Sequence, residues 1–378
     1  MTTNPTAAGS GRAAPGTVPD SPDRGENALD HAEVRDRVTA LLAEFLDEQT
    51  SQLPYPGMAH ALDCLRTFVL DGGKRVRSLF CYWGWRGAGG DGPVESVLFA
   101  AASLELSHAF WLLQDDIMDH SATRRGRPAM HYQLAAHHQR QGWHGSARDF
   151  GISTAVLLSD LCAGWAGMLL DRAGDSPARV RALKTVHDRM QTDAAYGQSL
   201  ELLLQSERAY DRQHCLDVVR YKAGLYGVMP ALRMGAHLAD AGPELLAALT
   251  EFGVAVGDGY QLRDDLLGTF GEPAITGKPD IDDLKEGKPT VLVAEALNRA
   301  DPRQAGRILH LYGNAQLTDG DVEELRTLLR ATGAVAGVEA AIGERAEAAA
   351  KALSQARLPE ETAQALEELV RLALRRDR

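Results

Sequence analysis

From about residue 28 almost to the C-terminus, apolar side chains recur three and four residues apart, as Val38, Leu41, Leu42 and Phe45 do. This is the period of an α-helix with one buried face. No stretch alternates apolar and polar residues for long enough to build a useful strand, so the chain is constrained to an all-α fold. The spacing predicts helices over 30–50, 57–70, 73–88, 93–119, 128–138, 149–173, 177–206, 211–221, 223–239, 243–267, 288–299, 303–312, 318–331 and 334–373. Glycine and proline fall between them, at Gly87-Ala88-Gly89-Gly90 and Gly271-Glu272-Pro273, and mark turns.

Residues 1–27 are different: Thr, Ala, Gly, Pro, Ser and Asp predominate, and large apolar side chains are almost missing. Such a segment cannot offset its ordering entropy and is expected to be a disordered arm. No fixed-period repeat or long polar linker divides 28–378, which predicts one domain. With 44% hydrophobic and 24% charged residues that domain can bury a sizeable core. The net charge of −12 speaks against a nucleic-acid or anionic-membrane partner, so a basic site for a phosphorylated metabolite has to be local. Cys64, Cys81, Cys162 and Cys215 lack CxxC spacing and suggest neither a disulfide framework nor zinc, as suits a reducing cytoplasm. No apolar run is read as reaching the roughly 18 residues of a spanning helix, and the N-terminus lacks a secretory pattern. The expectation is a cytoplasmic protein with no membrane span.

The segment from Leu104 to Asp119 puts Asp115, Asp116 and Asp119 at the C-terminal end of an otherwise apolar helix. At about 100° per residue Asp115 and Asp119 share a face, with His108 and Trp111 on the stripe behind them. Carboxylates so placed repel one another. A divalent cation relieves that repulsion, and Mg²⁺ prefers hard oxygen ligands with diphosphate completing its shell. A solvated acidic patch is the competing reading of this motif alone. A second apolar helix, Tyr260 to Gly268, again carries paired carboxylates near its end, Asp264 and Asp265. Two such helices could face each other across a cavity and clamp several Mg²⁺ ions around one diphosphate.

Two basic segments accompany the acidic ones. In Asp71-Gly72-Gly73-Lys74-Arg75-Val76-Arg77 the glycines permit close backbone approach, and Lys74 and Arg77 lie three apart on an incipient helix, a cradle for phosphate. Arg124-Arg125-Gly126-Arg127 brings guanidinium forks close after the first acidic cluster. Ordinary surface charge explains either segment alone, but less well both beside a metal motif. Lys222, in Tyr221-Lys222-Ala223-Gly224, and Lys278, in Gly277-Lys278-Pro279, say little as single lysines. The stretch from Asp280 to Thr290 either closes over the site or simply connects helices.

GGKRVRS at 72–78, DDIMD at 115–119, TRRGRP at 123–128, GQSLE at 197–201, YKAG at 221–224, YQLRDD at 260–265 and GKPDIDDLKEGKPT at 277–290 together resemble the trans-isoprenyl diphosphate synthase family. The match covers roughly residues 30–375. The resemblance implies a helical bundle around a deep central cavity, usually a homodimer, that joins an allylic diphosphate (dimethylallyl, geranyl or farnesyl) to isopentenyl diphosphate. It implies that Asp115, Asp116, Asp119, Asp264 and Asp265 hold Mg²⁺, as many as three ions, on the allylic diphosphate, with Arg124, Lys222 and Lys278 assisting. By the same resemblance Gly73, Lys74, Arg77, His108 and Arg125 hold isopentenyl diphosphate, and Gln261 lies near the developing allylic cation.

Three positions depart from the family's common pattern. Gly268 stands where many members have a third Asp, Ala223 where Thr is frequent, and Gln114 where His is common. In the family, aromatic residues at the positions of Phe110 and Trp111 tend to shorten the product, so farnesyl diphosphate is the expected product. The Phe80-Cys81-Tyr82-Trp83-Gly84-Trp85 stretch and the second acidic motif look like actinobacterial geranylgeranyl diphosphate synthases, which keeps C20 close behind. His131, His137, His138 and His144 are read as loop residues without a ligand role. Two other functions stay open. A class I terpene cyclase also uses DDxxD, but its second motif needs Ser or Thr at Gly268. A non-catalytic subunit of a heteromeric synthase is the other.

Overall fold

The computed structural model describes residues 29–52, 55–71, 73–271 and 282–374. Helix α1 (His31–Ser51) starts at a capping box, in which the Asp30 carboxylate accepts from the Ala32 and Glu33 amides while the Glu33 side chain accepts from the Asp30 amide. Such a cap contributes about 1 kcal/mol by satisfying amides that the first helical turn leaves free. There follow α2 (Ala59–Leu70), α3 (Val76–Gly87), α4 (Glu95–Met118), a hairpin of β1 (Thr123–Arg124) and β2 (Arg127–Pro128), α5 (Met130–Arg140), α6 (Ala147–Ala173) and α7 (Pro177–Glu207). Next come α8 (Arg212–Val219), a π-helical turn (Arg220–Gly224), α9 (Val228–Leu238) and α10 (Pro243–Phe270). The chain continues with α11 (Asp282–Glu286), α12 (Val291–Arg299), α13 (Pro302–Leu311), α14 (Asp319–Ala331), α15 (Ala334–Gln355) and α16 (Glu360–Leu374). The hairpin pairs Thr123 with Pro128 and Arg124 with Arg127, the single strand pair among the described residues.

Helix α4 is the axis of the bundle. Ala100, Ala101, Ala102, Leu104 and Leu106 are fully buried, so its upper half faces protein on every side, packed along α6 and against α1, α3 and α9. Its small alanines let those neighbours approach. Helix α10 is the second interior helix, packed on α9, α15 and the π-turn. Leu262 and Leu266 near its end join a separate core built from α12 to α15, with Leu292, Ile308, Leu325 and Val338. The two helices that carry the acidic clusters are thus both gripped along their length, so their carboxylate tips are held by a rigid frame.

Several expectations need correction. The helix read over 334–373 is two helices, α15 and α16, because Arg357 takes a left-handed φ of 49° and Pro359 offers no amide donor. The 280–290 stretch contains α11, which the apolar pattern does not show. Two helices, Glu95–Met118 and Ala147–Ala173, are long and apolar enough to cross a membrane, which corrects the statement that no such run exists. In the first, 67% of the apolar window is buried inside the protein, so its hydropathy is that of a core helix. His131, His137 and His138 lie on α5, as the helix read over 128–138 implies, and not in a loop; His131 and His138 are buried, and His137 stacks on His60 at 3.8 Å.

Candidate active site

Asp115 and Asp116 end α4, and Asp119 caps it, its amide donating to the Asp115 carbonyl at 2.8 Å. Asp116 and Asp119 are buried, an expensive place for carboxylates unless cations stand beside them. The hairpin supplies the first cation. Arg124 Nε donates to Asp116 Oδ1 at 2.8 Å, and its Nη2 reaches Asp115 Oδ2 at 3.2 Å and Asp116 as well. Burial works against the Arg124 charge, yet Asp116 and Asp115 outweigh it and hold the guanidinium more firmly protonated than usual.

Lys222 comes from the π-turn, a widened helical turn of the kind that often marks functional positions. Its ammonium lies 3.3 Å from Asp115 Oδ1 and also pairs with Glu201 of α7. The turn is held against α10 by Arg220, whose Nε and Nη2 grip Asp258 at 3.1 and 2.8 Å. A Cβ on Gly197 would stand 2.6 Å from the Lys222 amide nitrogen, so glycine there lets α7 approach the turn that carries the lysine.

Lys288 is the third cation. Its ammonium lies 2.6 Å from Asp119 Oδ2, 3.3 Å from Asp283 Oδ1 and 3.5 Å from Glu286 Oε2. Asp283 in turn borders the second acidic cluster: a Cβ on Gly268 would stand 2.3 Å from Asp283 Oδ2. Asp265 feels the same crowd. Burial first, then the charges of Asp283, Glu201 and Asp264, push its carboxyl up to about 7, while a 2.9 Å hydrogen bond from Gln261 Nε2 pulls the other way. The tips of α4 and α10 therefore share one acidic pocket threaded by lysines.

The second basic segment forms an adjacent group. Gly73 takes a φ of 99° that favours glycine, with Arg125 Nη2 3.6 Å from where its Cβ would be. Arg125 Nη1 donates to the Asp71 and Phe68 carbonyls at 2.8 and 3.1 Å, and Lys74 lies exposed on the same loop. The Arg77 guanidinium sits 5.0 Å above the Tyr226 ring, and the Tyr226 hydroxyl is 3.5 Å from His108 Nδ1. Burial and then Arg77, Arg125 and Arg124 hold His108 well below the usual histidine range. Cations that crowd one another in this way suit an anionic group.

Behind Asp115, Phe110 and Trp111 pack edge to face at 4.9 Å, and Trp111 meets Tyr226 at 6.4 Å. Of the site residues read from the sequence, Lys278 and the neighbouring Gly72 lie outside the described residues. Among the described residues no three acidic, histidine or cysteine groups already converge on one metal position. The carboxylates are balanced by Arg124, Lys222 and Lys288, and hard oxygens compensated by borrowed cations are a donor set that fits Mg²⁺. Glu201, Asp283, Lys288 and Tyr226 were not assigned from sequence. Glu201 and Lys288 stand inside the GQSLE and GKPT segments already noticed, but spacing alone does not say which lysine of 277–290 reaches Asp119.

An all-α bundle with an acidic and a basic cluster side by side presents charges of the kind that suit diphosphate. The polyprenyl synthetase family model matches residues 59–329. A geranylgeranyl diphosphate synthase of Mycobacterium tuberculosis is 34% identical over 286 residues, which cover 75% of this chain and 75% of that one. A geranylfarnesyl diphosphate synthase of Aeropyrum pernix is 32% identical over 70% of this chain and 77% of its own. The crystal structure of the geranylgeranyl pyrophosphate synthase of Corynebacterium glutamicum, complexed with isoprenyl diphosphate and magnesium, aligns with a TM-score of 0.89 at 36% identity, over 92% of this chain and 100% of that one. The chain belongs to the polyprenyl synthetase family and is a prenyltransferase of the prenyl diphosphate synthase class.

Proposed function

We propose that the protein condenses isopentenyl diphosphate with an allylic diphosphate, dimethylallyl or geranyl, and releases farnesyl diphosphate. The observation that carries this reading is the Lys288 ammonium between Asp119 and Asp283, which ties the tip of α4 to the region beside the second acidic cluster. Asp115, Asp116, Asp119, Asp264 and Asp265 hold Mg²⁺, up to three ions, with Asp283 supplying the carboxylate that Gly268 lacks. Bound Mg²⁺ supplies positive charge to the allylic diphosphate as its C–O bond breaks. Arg124, Lys222 and Lys288 add fixed positive charge to the departing group, which costs no reorganisation at the moment of reaction, and Lys278 assists them.

Gly73, Lys74, Arg77, His108 and Arg125 seat isopentenyl diphosphate. Its double bond attacks the allylic carbon, and the proton lost afterwards goes to the released diphosphate, so no protein base is needed. Gln261 has its amide nitrogen committed to Asp265, which leaves the oxygen, the negative end of its dipole, for the allylic cation. The aromatic wall of Phe110, Trp111 and Tyr226 keeps water from that cation.

Farnesyl diphosphate follows from the aromatic floor one turn behind Asp115. Geranylgeranyl diphosphate is the second reading, favoured by the names of the relatives. Cyclisation is disfavoured, because Gly268 has no hydroxyl and a cyclase has no use for the group at Arg77, His108 and Arg125. The active form is a homodimer: α6 leaves Leu157 63% and Met168 40% exposed on one stripe, with open space beside Gly164 between them. The four free thiols accord with a reducing cytoplasm.

Incubation with Mg²⁺, isopentenyl diphosphate and each of dimethylallyl, geranyl and farnesyl diphosphate, with products identified by mass, tests the reading. A C15 diphosphate should accumulate from the two shorter primers. Failure of every primer to elongate would overturn it.

A further inference from the structure

Behind the first acidic cluster, two residues one turn apart on α4, Ser107 and Trp111, face two residues one turn apart on α7, His187 and Gln191. The Trp111 indole Nε1 donates to Gln191 Oε1 at 2.5 Å. Gln191 Nε2 is 3.3 Å from His187 Nε2, and Ser107 Oγ is 3.0 Å from the same nitrogen. His187 Nδ1 completes the series 3.3 Å from Asp188 Oδ1. Ser107 and His187 are buried.

The direction of the Trp111–Gln191 bond is forced. An indole N–H only donates, so Gln191 must turn its oxygen to Trp111 and its NH₂ to His187. An amide NH₂ also only donates, so its contact with His187 is a hydrogen bond in the tautomer that carries its proton on Nδ1, toward the Asp188 carboxylate. In that tautomer the Ser107 hydroxyl shares the single Nε2 lone pair with Gln191. Turning the indole away would leave the Gln191 oxygen without this donor, so the relay opposes any other rotamer of Trp111.

We propose that Gln191 determines product length together with Trp111, by holding the indole across the path of the growing chain. This rests on Trp111 being the floor of the product pocket. An aromatic ring held by bulk alone can be pushed into another rotamer by a longer chain. A ring tied through its N–H to a second helix cannot move without breaking the relay. Gln191 acts through Trp111, so it is specificity-determining rather than catalytic.

Product masses and primer preference of Trp111→Phe, Gln191→Leu, Gln191→Glu and Trp111→Ala test this. Trp111→Phe keeps a ring but loses the donor, and Gln191→Leu loses the acceptor. Both should raise kcat/KM for farnesyl relative to geranyl diphosphate by about tenfold or more and yield a product one isoprene unit longer. Gln191→Glu keeps an acceptor for the indole and should retain the parent length. If Gln191→Leu does not fold, Trp111→Phe alone decides. Parent-length products from both, beside longer ones from Trp111→Ala, would overturn the relay and leave the floor intact. Parent-length products from Trp111→Ala would overturn the floor itself, and the relay with it.

Discussion

The carboxylate of Asp283 stands where a side chain on Gly268 would be, with Oδ2 2.3 Å from the position of a Cβ there. The second acidic cluster is short by one residue in sequence and borders a carboxylate from elsewhere in the chain. Asp283→Ala should weaken Mg²⁺ binding about 10–100-fold, the scale seen when a supporting ligand is lost. Calorimetric titration of Mg²⁺ in the presence of inorganic diphosphate reads this without turnover. Gly268→Asp alone should destabilise the fold, whereas Gly268→Asp with Asp283→Gly should recover both folding and Mg²⁺ affinity. A recovered fold with no recovered affinity would show that the carboxylate must come from position 283.

Arg75 and Glu105 anchor the loop that carries Gly73 and Lys74. Both are buried, with Nη1 3.1 Å from Oε2, and Glu105 also accepts from Ser78 Oγ at 2.8 Å while Arg75 donates to the Val69 carbonyl at 2.8 Å. Glu105→Ala strands a buried guanidinium and should cost about 3–5 kcal/mol in denaturant unfolding. In the enzyme that remains folded, KM for isopentenyl diphosphate should rise while that for the allylic substrate stays near its parent value. Equal rises in both would place the loop's effect on the whole site.

Glu286 is pushed up to about 8 by burial, which outweighs the Lys288 ammonium 3.5 Å away. Its folded form binds a proton more tightly than the unfolded chain does. The stability it contributes is therefore present below the ordinary carboxylate value of about 4.3 and is lost as pH rises through about 8. Glu286→Gln stays neutral throughout. In metal-free protein its Tm should match the parent near pH 4 and exceed it increasingly toward pH 9. A gap that closes as pH rises would mean that the ion pair with Lys288 wins over burial.

Much of the fold and site is legible in the sequence because it is local. The helical period of α4 also puts Asp115 and Asp119 on one face, so helix and first cluster follow from one pattern. What stays illegible depends on contacts between distant segments. Asp283 beside Gly268, Lys288 on Asp119 and Gln191 on Trp111 are each created when distant segments meet, and no spacing within either segment announces them. The break between α15 and α16 is missed for a different reason: apolar periodicity continues across Arg357, and its left-handed φ, with Pro359 behind it, ends the helix. The hydropathy of α4 misleads in the same way, since a helix buried on all sides reads like one made for lipid.

The central claim is that the shared acidic pocket releases diphosphate only as a carbon–carbon bond to isopentenyl diphosphate is made. Measuring released diphosphate against isopentenyl diphosphate consumed, with purified protein, Mg²⁺ and geranyl diphosphate, tests it most directly. One diphosphate per isopentenyl unit, with a longer prenyl diphosphate as product, is the predicted result. Diphosphate released without isopentenyl consumption, together with a hydrocarbon or an alcohol, would contradict it.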